Sequence, residues 1–456
     1  MQSTFSICTT VALMLGVGAW HGQAETPRET EAAILARLKM PTFPAQDFII
    51  TKFGAVEKTD CTDAIAQAIK ACVTAGGGRV LVPAGVWSTG AIHLRSGVEL
   101  HIAEGATLRF DPDPAKYLPV VLTRFEGMEC MNYSPLIYCH GQENVAITGK
   151  GMLDGSANDK TWWAWNDKDK DKPTKQVPAR AKLDEQVRAN VPVAQRVFGD
   201  GHFLRPNFIQ PYQCKNVLIE GVTIINSPMW DIHPVLCTNV TVRGVTVRSH
   251  GTNNDGCDPE SCRDVLIEHC TFETGDDCIA IKSGRNDDGR RIGVASENIV
   301  IRRCTMKDGH GGVTMGSEVS GGVRNVFVSD CVMDSPNFER AFRFKSNAMR
   351  GGIVENIYIR DVKIGQVTTA VFSTEFDYEE GANGPHKPVL RNVLIEKVSS
   401  ESCGAVAIVT SFPGAVIEGI RFRDCTFRGV SGPDVLKHSG SLSFENVTIE
   451  PGKKKT

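Results

Sequence analysis

Apolar and polar residues alternate in a nine-residue pattern that recurs through the second half of the chain. Within each copy, for example NVLIEGVTI, the apolar residues have a period of two, which is typical of β-strands and not of helices. Nine copies begin at Asn216, Asn239, Asp264, Asn298, Asn325, Asn356, Asn392, Gly419 and Ser441. They start 22 to 36 residues apart, and repeats of this length indicate a solenoid or a propeller.

The length of the repeat decides between these architectures. A propeller blade needs four strands in about 40 residues, and most of these copies are shorter. Leucine-rich repeats would carry a Leu and Asn signature that the nine copies lack. The pattern therefore predicts an all-β fold, a single-stranded parallel β-helix whose rungs lie about 4.8 Å apart. Differences in length between copies then fall in loops, where binding and catalytic residues concentrate.

The N-terminal half contains a predicted cap and a predicted insertion. Thr62–Val73 has helical periodicity, begins at an N-cap-type Thr62 and is followed by three glycines at 76–78. We expect this amphipathic helix to cover the first rung, because a solenoid needs its end covered. Residues 156–200 are polar and rich in lysine, and they are predicted to form one long insertion loop. The tryptophans at 162, 163 and 165 either pack this loop or stack on a sugar.

The first 24 residues have most features of a secretory signal peptide. An apolar stretch, Phe5–Trp20, precedes the small-x-small site Gly22-Gln23-Ala24. We therefore expect a signal peptide at 1–24, one catalytic domain at 25–456, and a secreted or periplasmic protein. Residues 1–24 contain no Lys or Arg, so a buried N-terminal helix is the alternative.

Composition narrows the classes of partner. The chain has 456 residues, of which 41% are hydrophobic and 23% charged, as in a folded globular protein. Its 50 basic and 53 acidic residues give a net charge of -3. This balance provides no cationic surface for nucleic acid or an anionic membrane, so we expect neither as a partner, and we expect a monomer.

The chain has fifteen cysteines, and their positions indicate more than one role. Four of them, Cys270, Cys304, Cys331 and Cys425, share one position of the repeat at which other copies carry Val, so they are predicted core residues. Three pairs are close enough in sequence to form disulfides, and their pairing stays open: Cys61–Cys72, Cys130–Cys139 and Cys257–Cys262.

Chemistry-bearing residues lie in a second strand that follows four successive copies of the repeat. These strands end in Ser261, Ser283, Ser317 and Ser346. When they are aligned on the serines, Asp255 and Asp277 share one position, and Asp276 and His310 share another. Register-matched residues on neighbouring rungs stack about 4.8 Å apart. The alignment therefore predicts that three carboxylates and one imidazole lie on one side of the solenoid.

Two cations, Arg343 and Lys345, fall in the fourth of these strands. Stacked carboxylates do not all ionise easily, so at least one pKa is expected to rise and to make its carboxyl a proton donor. One protonated and one ionised carboxyl are the minimum equipment for glycoside hydrolysis. The cations suit an anionic substrate, since Arg can fork onto a carboxylate. Together these residues predict hydrolysis of an acidic sugar polymer.

Two other interpretations of the acidic cluster stay open. Asp residues at solenoid turns also satisfy backbone groups, and clustered carboxylates also bind Ca²⁺. The presence of two cations in the same patch favours the catalytic interpretation, so we expect no metal and no cofactor.

Four short motifs in this order resemble those of the polygalacturonase family of pectin-degrading glycoside hydrolases. They are NND at Asn253–Asp255, GDDCIAIKSG at Gly275–Gly284, GHGG at Gly309–Gly312 and RFK at Arg343–Lys345. The resemblance covers about residues 45–450. It implies a right-handed parallel β-helix that cleaves α-1,4-galacturonosidic linkages with inversion. A further segment, DYEEG at Asp377–Gly381, is similar to the family's downstream tyrosine segment and implies that Tyr378 lies near the bound uronate.

The resemblance also implies the catalytic roles. Asp276 would protonate the leaving glycosidic oxygen, and Asp255 and Asp277 would activate the attacking water. His310 would hold the protonation state and geometry of the acid. Stacking puts Asp255 about 5 Å from Asp277, although two-carboxylate inverting enzymes hold their carboxyls about 6.5–9.5 Å apart. We expect inversion, because the working pair is Asp276 against the other two.

The substrate-binding roles are carried over in the same way. Arg343 and Lys345 would bind the galacturonate carboxylate, and Asn253 would orient its neighbours. Asn254 and Phe344 depart from the Asn-Thr-Asp and Arg-Ile-Lys of the family. These changes leave the chemical residues in place and bear on the substrate subtype.

The mode of action and the class of activity have alternatives. The segments GCDPES, GRNDDGRR and GSEVSGGV are more similar to bacterial exo-acting members, and long loops at one end of the cleft favour exo action. An endo-polygalacturonase and a rhamnogalacturonan or xylogalacturonan hydrolase are the alternatives within the family. A Ca²⁺-dependent pectate lyase and a non-catalytic carbohydrate-binding solenoid are the alternatives from other classes.

Overall fold

The computed structural model describes residues 29–166 and 175–452. The predicted signal peptide at 1–24 lies outside these ranges. Within them, no helix combines the length and the apolar character that crossing a membrane requires.

Parallel strands wind into a right-handed β-helix, as predicted, and this coil has three faces. Among the described residues, thirteen strands form the first face: Asp47–Ile49, Gly78–Val82, Val98–Ile102, Glu143–Gly149, Lys215–Glu220, Thr238–Arg243, Arg263–Glu268, Ser296–Arg302, Val323–Ser329, Ile353–Arg360, Val389–Glu396, Val416–Arg423 and Leu442–Glu445. The second face consists of Gly85–Thr89, Ala106–Phe110, Met152–Asp154, Thr223–Ile225, Thr246–Ser249, Thr271–Thr274, Thr305–Lys307, Val332–Met333, Lys363–Glu375, Ser399–Thr410, Thr426–Val430 and Thr448–Pro451.

The third face carries the candidate site. Its strands are Ile92–His93, Ile137–His140, Ile209–Tyr212, Ile279–Ile281, Val313–Met315, Arg340–Lys345 and Val435–Lys437. Two isolated rungs, paired through Ile232 and Val235 and through Cys257 and Glu260, connect Ile209–Tyr212 to Ile279–Ile281. The long strands Lys363–Glu375 and Ser399–Thr410 continue from the second face into this one.

Helices and a hairpin lie outside the coil. The α-helices of the described ranges are α1 (Glu31–Arg37), α2 (Thr62–Thr74), α3 (Gln176–Arg188) and α4 (Asn286–Ile292). Short 3-10 helices span Ile50–Phe53, Pro114–Tyr117, Trp162–Asn166 and Val193–Gln195. An antiparallel hairpin pairs Val121–Phe125 with Met128–Asn132, and Val197–Phe198 adds a third strand to it.

Each nine-residue repeat contains a corner that the period-two interpretation missed. In the first copy, Lys215–Glu220 lies on the first face and Thr223–Ile225 on the second, so the repeat is two strands and not one. The residue at the corner has a left-handed backbone, with φ of 80° at Gly221 and 55° at His269. The next residue, Val or Cys in each copy, turns into the core.

A ladder of amide side chains explains why most copies begin with Asn. Asn216 and Asn298 have φ near 60°, a conformation that Asn tolerates better than most residues. The Asn239 amide donates to the Asn216 oxygen over 2.7 Å, and the Asn325 amide donates to the Asn298 oxygen over 3.0 Å. The same side chain therefore permits the turn and connects neighbouring rungs.

Helix α2 packs on the first rungs, as predicted for a cap. Its buried residues Ile65 and Ile69 join the central core of the coil. The predicted N-cap at Thr62 is wrong, because Thr62 is the first helical residue. The Oδ1 atom of Asp60 instead accepts hydrogen bonds from the Thr62 amide and hydroxyl.

The insertion at 156–200 is not one irregular loop, since it holds α3 and the 3-10 helix Trp162–Asn166. The apolar residues Ala179, Leu183 and Val187 recur every four residues on α3 and pack against the hairpin. That spacing was visible in the sequence but was outweighed by the polar composition. The tryptophans at 162 and 165 are buried among aromatic rings, and the Trp163 indole N–H donates to the Ser227 carbonyl, so all three pack the insertion.

All fourteen cysteines of the described ranges are buried and free. The three candidate pairs are therefore not bridged in this structure. Cys270, Cys304, Cys331 and Cys425 are each 1% exposed in the core, which confirms the prediction that they act as apolar core residues.

Candidate active site

The strand register of the third face is the one that the four serines predict. Ile279 pairs with Val313, and Val313 pairs with Phe342, as the serine alignment requires. The rung before them pairs Cys257 with Ile279. Asp255 and Asp277 consequently occupy equivalent positions on neighbouring rungs, and so do Asp276 and His310.

This register brings the three carboxylates together. One oxygen of each of Asp255, Asp276 and Asp277 lies within 4.8 Å of the others. Asp276 and Asp277 are consecutive, and their side chains diverge: the Asp276 carboxyl is 17% exposed in the cleft, whereas the Asp277 carboxyl is fully buried. The predicted convergence is therefore present, with one acid facing solvent and two lying beneath it.

Asp277 is held as a carboxylate by two cations. Lys345 Nζ donates to its Oδ2 atom over 2.7 Å, and Arg343 Nη1 lies 3.5 Å from its Oδ1 atom. Burial acts to raise the pKa of Asp277, but the charges of Lys345 and Arg343 outweigh it and hold the pKa well below its usual range. Asp277 is thus ionised at any pH near neutrality.

Asp255 has the opposite electrostatic character. Its burial, together with the negative charges of Asp276 and Asp277, raises the pKa of Asp255 to about 8, against the opposing charge of Lys282. The nearest cation, Lys282 Nζ, is 3.5 Å from its Oδ2 atom, and its buried Oδ1 atom has no hydrogen-bond partner in the described structure. Asp255 therefore meets the expectation that one stacked carboxyl keeps its proton at neutral pH.

Asp276 and His310 form a pair across neighbouring rungs. His310 Nδ1 lies 3.0 Å from Asp276 Oδ1, which also accepts the backbone N–H of Asp277 over 2.9 Å. The hydrogen bond to Asp276 raises the pKa of His310, although its partial burial opposes this. The imidazolium form of His310 can therefore donate to Asp276 and fix the orientation of the carboxyl that faces the cleft.

Arg343 and Lys345 lie at the centre of the site, but their hydrogen bonds differ from the prediction. The fork of Arg343 is occupied by Glu375, whose two oxygens accept from Nε over 2.9 Å and from Nη2 over 2.8 Å. Lys345 is directed at Asp277, and its Nζ lies 5.5 Å from the centre of the Tyr378 ring. The predicted binding of a substrate carboxylate by these cations stays a prediction.

Asn253 and Tyr378 line the same cleft. Asn253 is held through its Oδ1 atom, which accepts from Arg205 over 2.8 Å and from Asn166 over 3.2 Å. The neighbouring Asn254, which departs from the family motif, is fully buried, and its amide bonds to backbone groups around Ser227 and Met229. Asn254 consequently holds the loop and does not reach the cleft.

The cleft itself has a volume of about 360 Å³. Its wall at the ends of the third-face strands is formed by Glu126 of the hairpin turn, Arg180 of α3 and Glu379. Arg180 donates to Glu126 over 2.5 Å and approaches Glu379 to 3.4 Å, and the buried Arg285 contacts both acids. An ion-pair network therefore joins four separate segments of the chain on one side of the cleft.

Sequence reasoning missed several residues of this site. Lys282 precedes Ser283 as Lys345 precedes Ser346, so the alignment contained the signal. Its buried Nζ lies 3.2 Å from Glu318 and 4.4 Å from the centre of the Trp230 ring. Glu318 follows the aligned Ser317, but no other aligned strand carries an acid at that position, and Trp230 lies in a rung without the repeat pattern, so neither residue was signalled.

Comparisons with known proteins agree with this geometry. The sequence profile of glycosyl hydrolases family 28 matches residues 200–447, which is more than half of the chain. A probable polygalacturonase from Vitis vinifera is 28% identical over 97% of this chain and 80% of its own length. An endo-polygalacturonase from Pectobacterium carotovorum subsp. carotovorum is 28% identical over 77% of this chain and 81% of its own.

A solved structure is more similar still. The hyperthermoactive exopolygalacturonase from Thermotoga maritima is 45% identical and superposes with a TM-score of 0.88, covering 93% of this chain and 96% of that one. At 93% of the chain, the similarity extends into the region before residue 200 that the family profile does not match. Because the profile matches more than half of the chain and the coil superposes on that of the Thermotoga maritima enzyme, the chain belongs to glycosyl hydrolases family 28.

Proposed function

We propose that this glycoside hydrolase cleaves α-1,4-galacturonosidic linkages of pectin or polygalacturonate from a chain end, with inversion. The observation that carries the proposal is the juxtaposition of Asp255, Asp276 and Asp277 with Lys345 and Arg343 in one cleft. Among these acids, the cleft-facing Asp276 is placed to donate a proton and the ionised Asp277 to accept one, which are the two functions that glycoside hydrolysis needs. The cations provide the attraction for an acidic sugar that a neutral polysaccharide would not require.

The geometry supports a division of roles among the carboxyls. Asp276 faces the cleft and is oriented by His310, so it is the group in position to protonate a leaving glycosidic oxygen. Asp277 is ionised and lies beneath the cleft with Asp255, whose proton is retained below about pH 8. A water bound between these two would donate to Asp277 and accept from Asp255. Inversion follows from attack by this water opposite Asp276.

The spacing of the carboxyls supports a three-acid arrangement rather than the simple pair. One oxygen of each lies within 4.8 Å of one oxygen of the others, whereas the two carboxyls of ordinary inverting enzymes are about 6.5–9.5 Å apart. Because two acids rather than one hold the proposed water, the pairwise distance alone does not give the stereochemistry. Proton NMR of the first product decides the matter, since inversion of an α-linkage releases the β-anomer.

Exo action is supported by the wall that Glu126, Arg180 and Glu379 form on one side of the cleft. The hairpin and α3, which are distant in sequence, build this wall together. A polymer that bound by an internal segment would need an open path across the wall. The names of relatives include both endo- and exo-acting enzymes. The similarity to the Thermotoga maritima exopolygalacturonase favours the exo assignment.

Chromatography of the earliest products from polygalacturonate tests the proposal. We expect a single short product to accumulate from the first minutes while the polymer stays long. A ladder of intermediate oligomers would replace exo with endo action, and no release of reducing sugar from polygalacturonate would overturn the substrate assignment.

We further propose that the protein is exported, on the pattern of residues 1–24, because pectin lies outside the cell.

A further inference from the structure

The cation that best matches a sugar carboxylate already holds a carboxylate of the protein. Arg343 presents its Nε and Nη2 atoms to the two oxygens of Glu375 at 2.9 and 2.8 Å. This is the two-bond geometry in which arginine binds carboxylates most strongly. A galacturonate unit entering the cleft therefore meets an arginine whose fork is filled.

The backbone fixes Glu375 in this position. Glu375 pairs with Lys345 on the neighbouring rung, at the end of the long strand Lys363–Glu375. Its Oε1 atom also lies 2.9 Å from Arg340 Nε. Burial acts to raise the pKa of Glu375, but Arg343 and Arg340 outweigh it and lower the pKa, so the side chain is a carboxylate at neutral pH.

Two donors near the reacting acids are left for a ligand. Arg343 Nη1 points towards Asp277 at 3.5 Å, and Lys345 Nζ donates to the same carboxylate at 2.7 Å. Because an ammonium group has three donors, Lys345 keeps capacity for a second acceptor. A ligand on this side of Arg343 does not have the Nε–Nη2 pair, which Glu375 already holds.

We propose that Glu375 sets the affinity of the site for uronates, by occupying the Nε–Nη2 edge of Arg343 so that a galacturonate carboxylate is left with Lys345 and the Nη1 side of Arg343. This inference rests on the proposed function, since it concerns the same acidic substrate. Glu375 acts through Arg343 and is a positioning residue that determines specificity.

The consequence is weak retention of the product. Tight binding that is equal for substrate, transition state and product does not raise kcat and slows release. Glu375 lowers the affinity of the site for the uronate carboxylate in two ways. It occupies two N–H groups of Arg343, and its negative charge repels that of the uronate. At the same time, it holds the Arg343 plane so that Nη1 stays beside Asp277.

Calorimetric titration with D-galacturonate, and with D-galactose as the neutral probe, tests this inference. In Glu375→Gln we expect the Kd for galacturonate to fall about tenfold, with the binding of galactose unchanged. We also expect KM and kcat on polygalacturonate to fall together, because product leaves slowly. Thermal melting checks the fold, and Glu375→Ala replaces the Gln variant if that variant does not fold.

The matched control is Glu339→Gln. Glu339 is in the same cleft and pairs with Arg340, but it does not occupy the Arg343 fork. We expect its effect on the Kd for galacturonate to stay under threefold. An unchanged or weaker affinity in both folded Glu375 variants, or an equal gain in Glu339→Gln, would overturn the inference. Wild-type release of sugar from polygalacturonate is measured separately, so failure of the proposed function is distinguishable.

Discussion

Lys345 Nζ lies 2.7 Å from the buried Oδ2 atom of Asp277, and this contact fixes the charge of the carboxylate at the base of the cleft. The corresponding lysine of an earlier rung, Lys282, lies 3.5 Å from Asp255 and is shared with Asp258 and Glu318. Stacked acids on adjacent rungs are consequently held in different protonation states. The difference comes from the partners of each acid and not from their positions in the repeat.

This difference predicts a basic limit to activity. The pKa of Asp255 is about 8, and its ionisation adds a negative charge beside Asp276 and repels a uronate. We expect kcat/KM to fall as the pH rises through about 8. Because the folded pKa lies above the usual 3.8, the protonated Asp255 also contributes stability that is lost as pH rises towards 8.

Substitution of Lys282 tests the origin of that limit. Lys282→Met removes a charge that lowers the pKa of Asp255, so the basic limb of the pH profile should move to higher pH. Breaking this buried cluster should also cost about 3–5 kcal/mol of stability, seen as a lower Tm. Lys282→Arg, which keeps the charge, serves as the control. A limb that stays in place or moves down in a folded Lys282→Met sample contradicts the assignment to Asp255.

We expect Arg180 to influence the length of the products. Arg180→Ala removes the side chain that joins α3 to Glu126 and Glu379, so the wall of the cleft loses both ion pairs that hold it to α3. We expect early digests of polygalacturonate to contain longer oligomers than those of the wild type, measured by anion-exchange chromatography. Lys182→Ala is the matched control, because Lys182 is on the same helix but lies against Phe198. Identical product patterns for all three proteins would argue against the wall as the determinant of exo action.

Chelation separates hydrolysis from the lyase alternative. Three carboxylate oxygens lie close enough to share a cation, but Lys345 and Arg343 already balance the charge of Asp277. We therefore expect EDTA to leave the rate of reducing-sugar release unchanged, with products that do not absorb in the ultraviolet. Loss of activity that Ca²⁺ restores, together with unsaturated products, would instead identify a lyase.

The amide ladder predicts a large effect on stability from a residue far from the cleft. Asn325 donates to Asn298 over 3.0 Å, accepts from Asn356 over 3.2 Å and has φ of 58°. Asn325→Ala loses both bonds and strains the backbone, for a cost of roughly 2–4 kcal/mol. Asn325→Gly relieves the strain and should lose less. Equal Tm values for the Ala and Gly variants would show that the left-handed backbone does not contribute.

Much of the coil was predictable because alternation is a local property of the chain. The serine alignment located the rungs of the site, since each strand must keep its apolar residues in the core to maintain register. The period-two interpretation missed the corner within each repeat, although the corner shifts the alternation by one residue: the core residues are Val217 and Ile219 before it and Val222 and Ile224 after it.

The remaining features depend on contacts between distant segments. The rung through Ile232 and Val235 is short and irregular, and only its pairing with neighbours defines it. Glu375 reaches the Arg343 fork through a rotamer that no spacing specifies. Arg180 reaches the cleft because α3 packs on a hairpin some fifty residues earlier, and hydrophobic packing of this kind is decided in three dimensions.

Asp276→Asn tests whether the three aspartates catalyse sugar release. We expect the purified variant to bind polygalacturonate but to release reducing sugar at roughly 10⁻² to 10⁻⁴ of the wild-type rate, the range expected for loss of a general acid. Sugar release at the wild-type rate by the same sample would show that Asp276 is not the general acid.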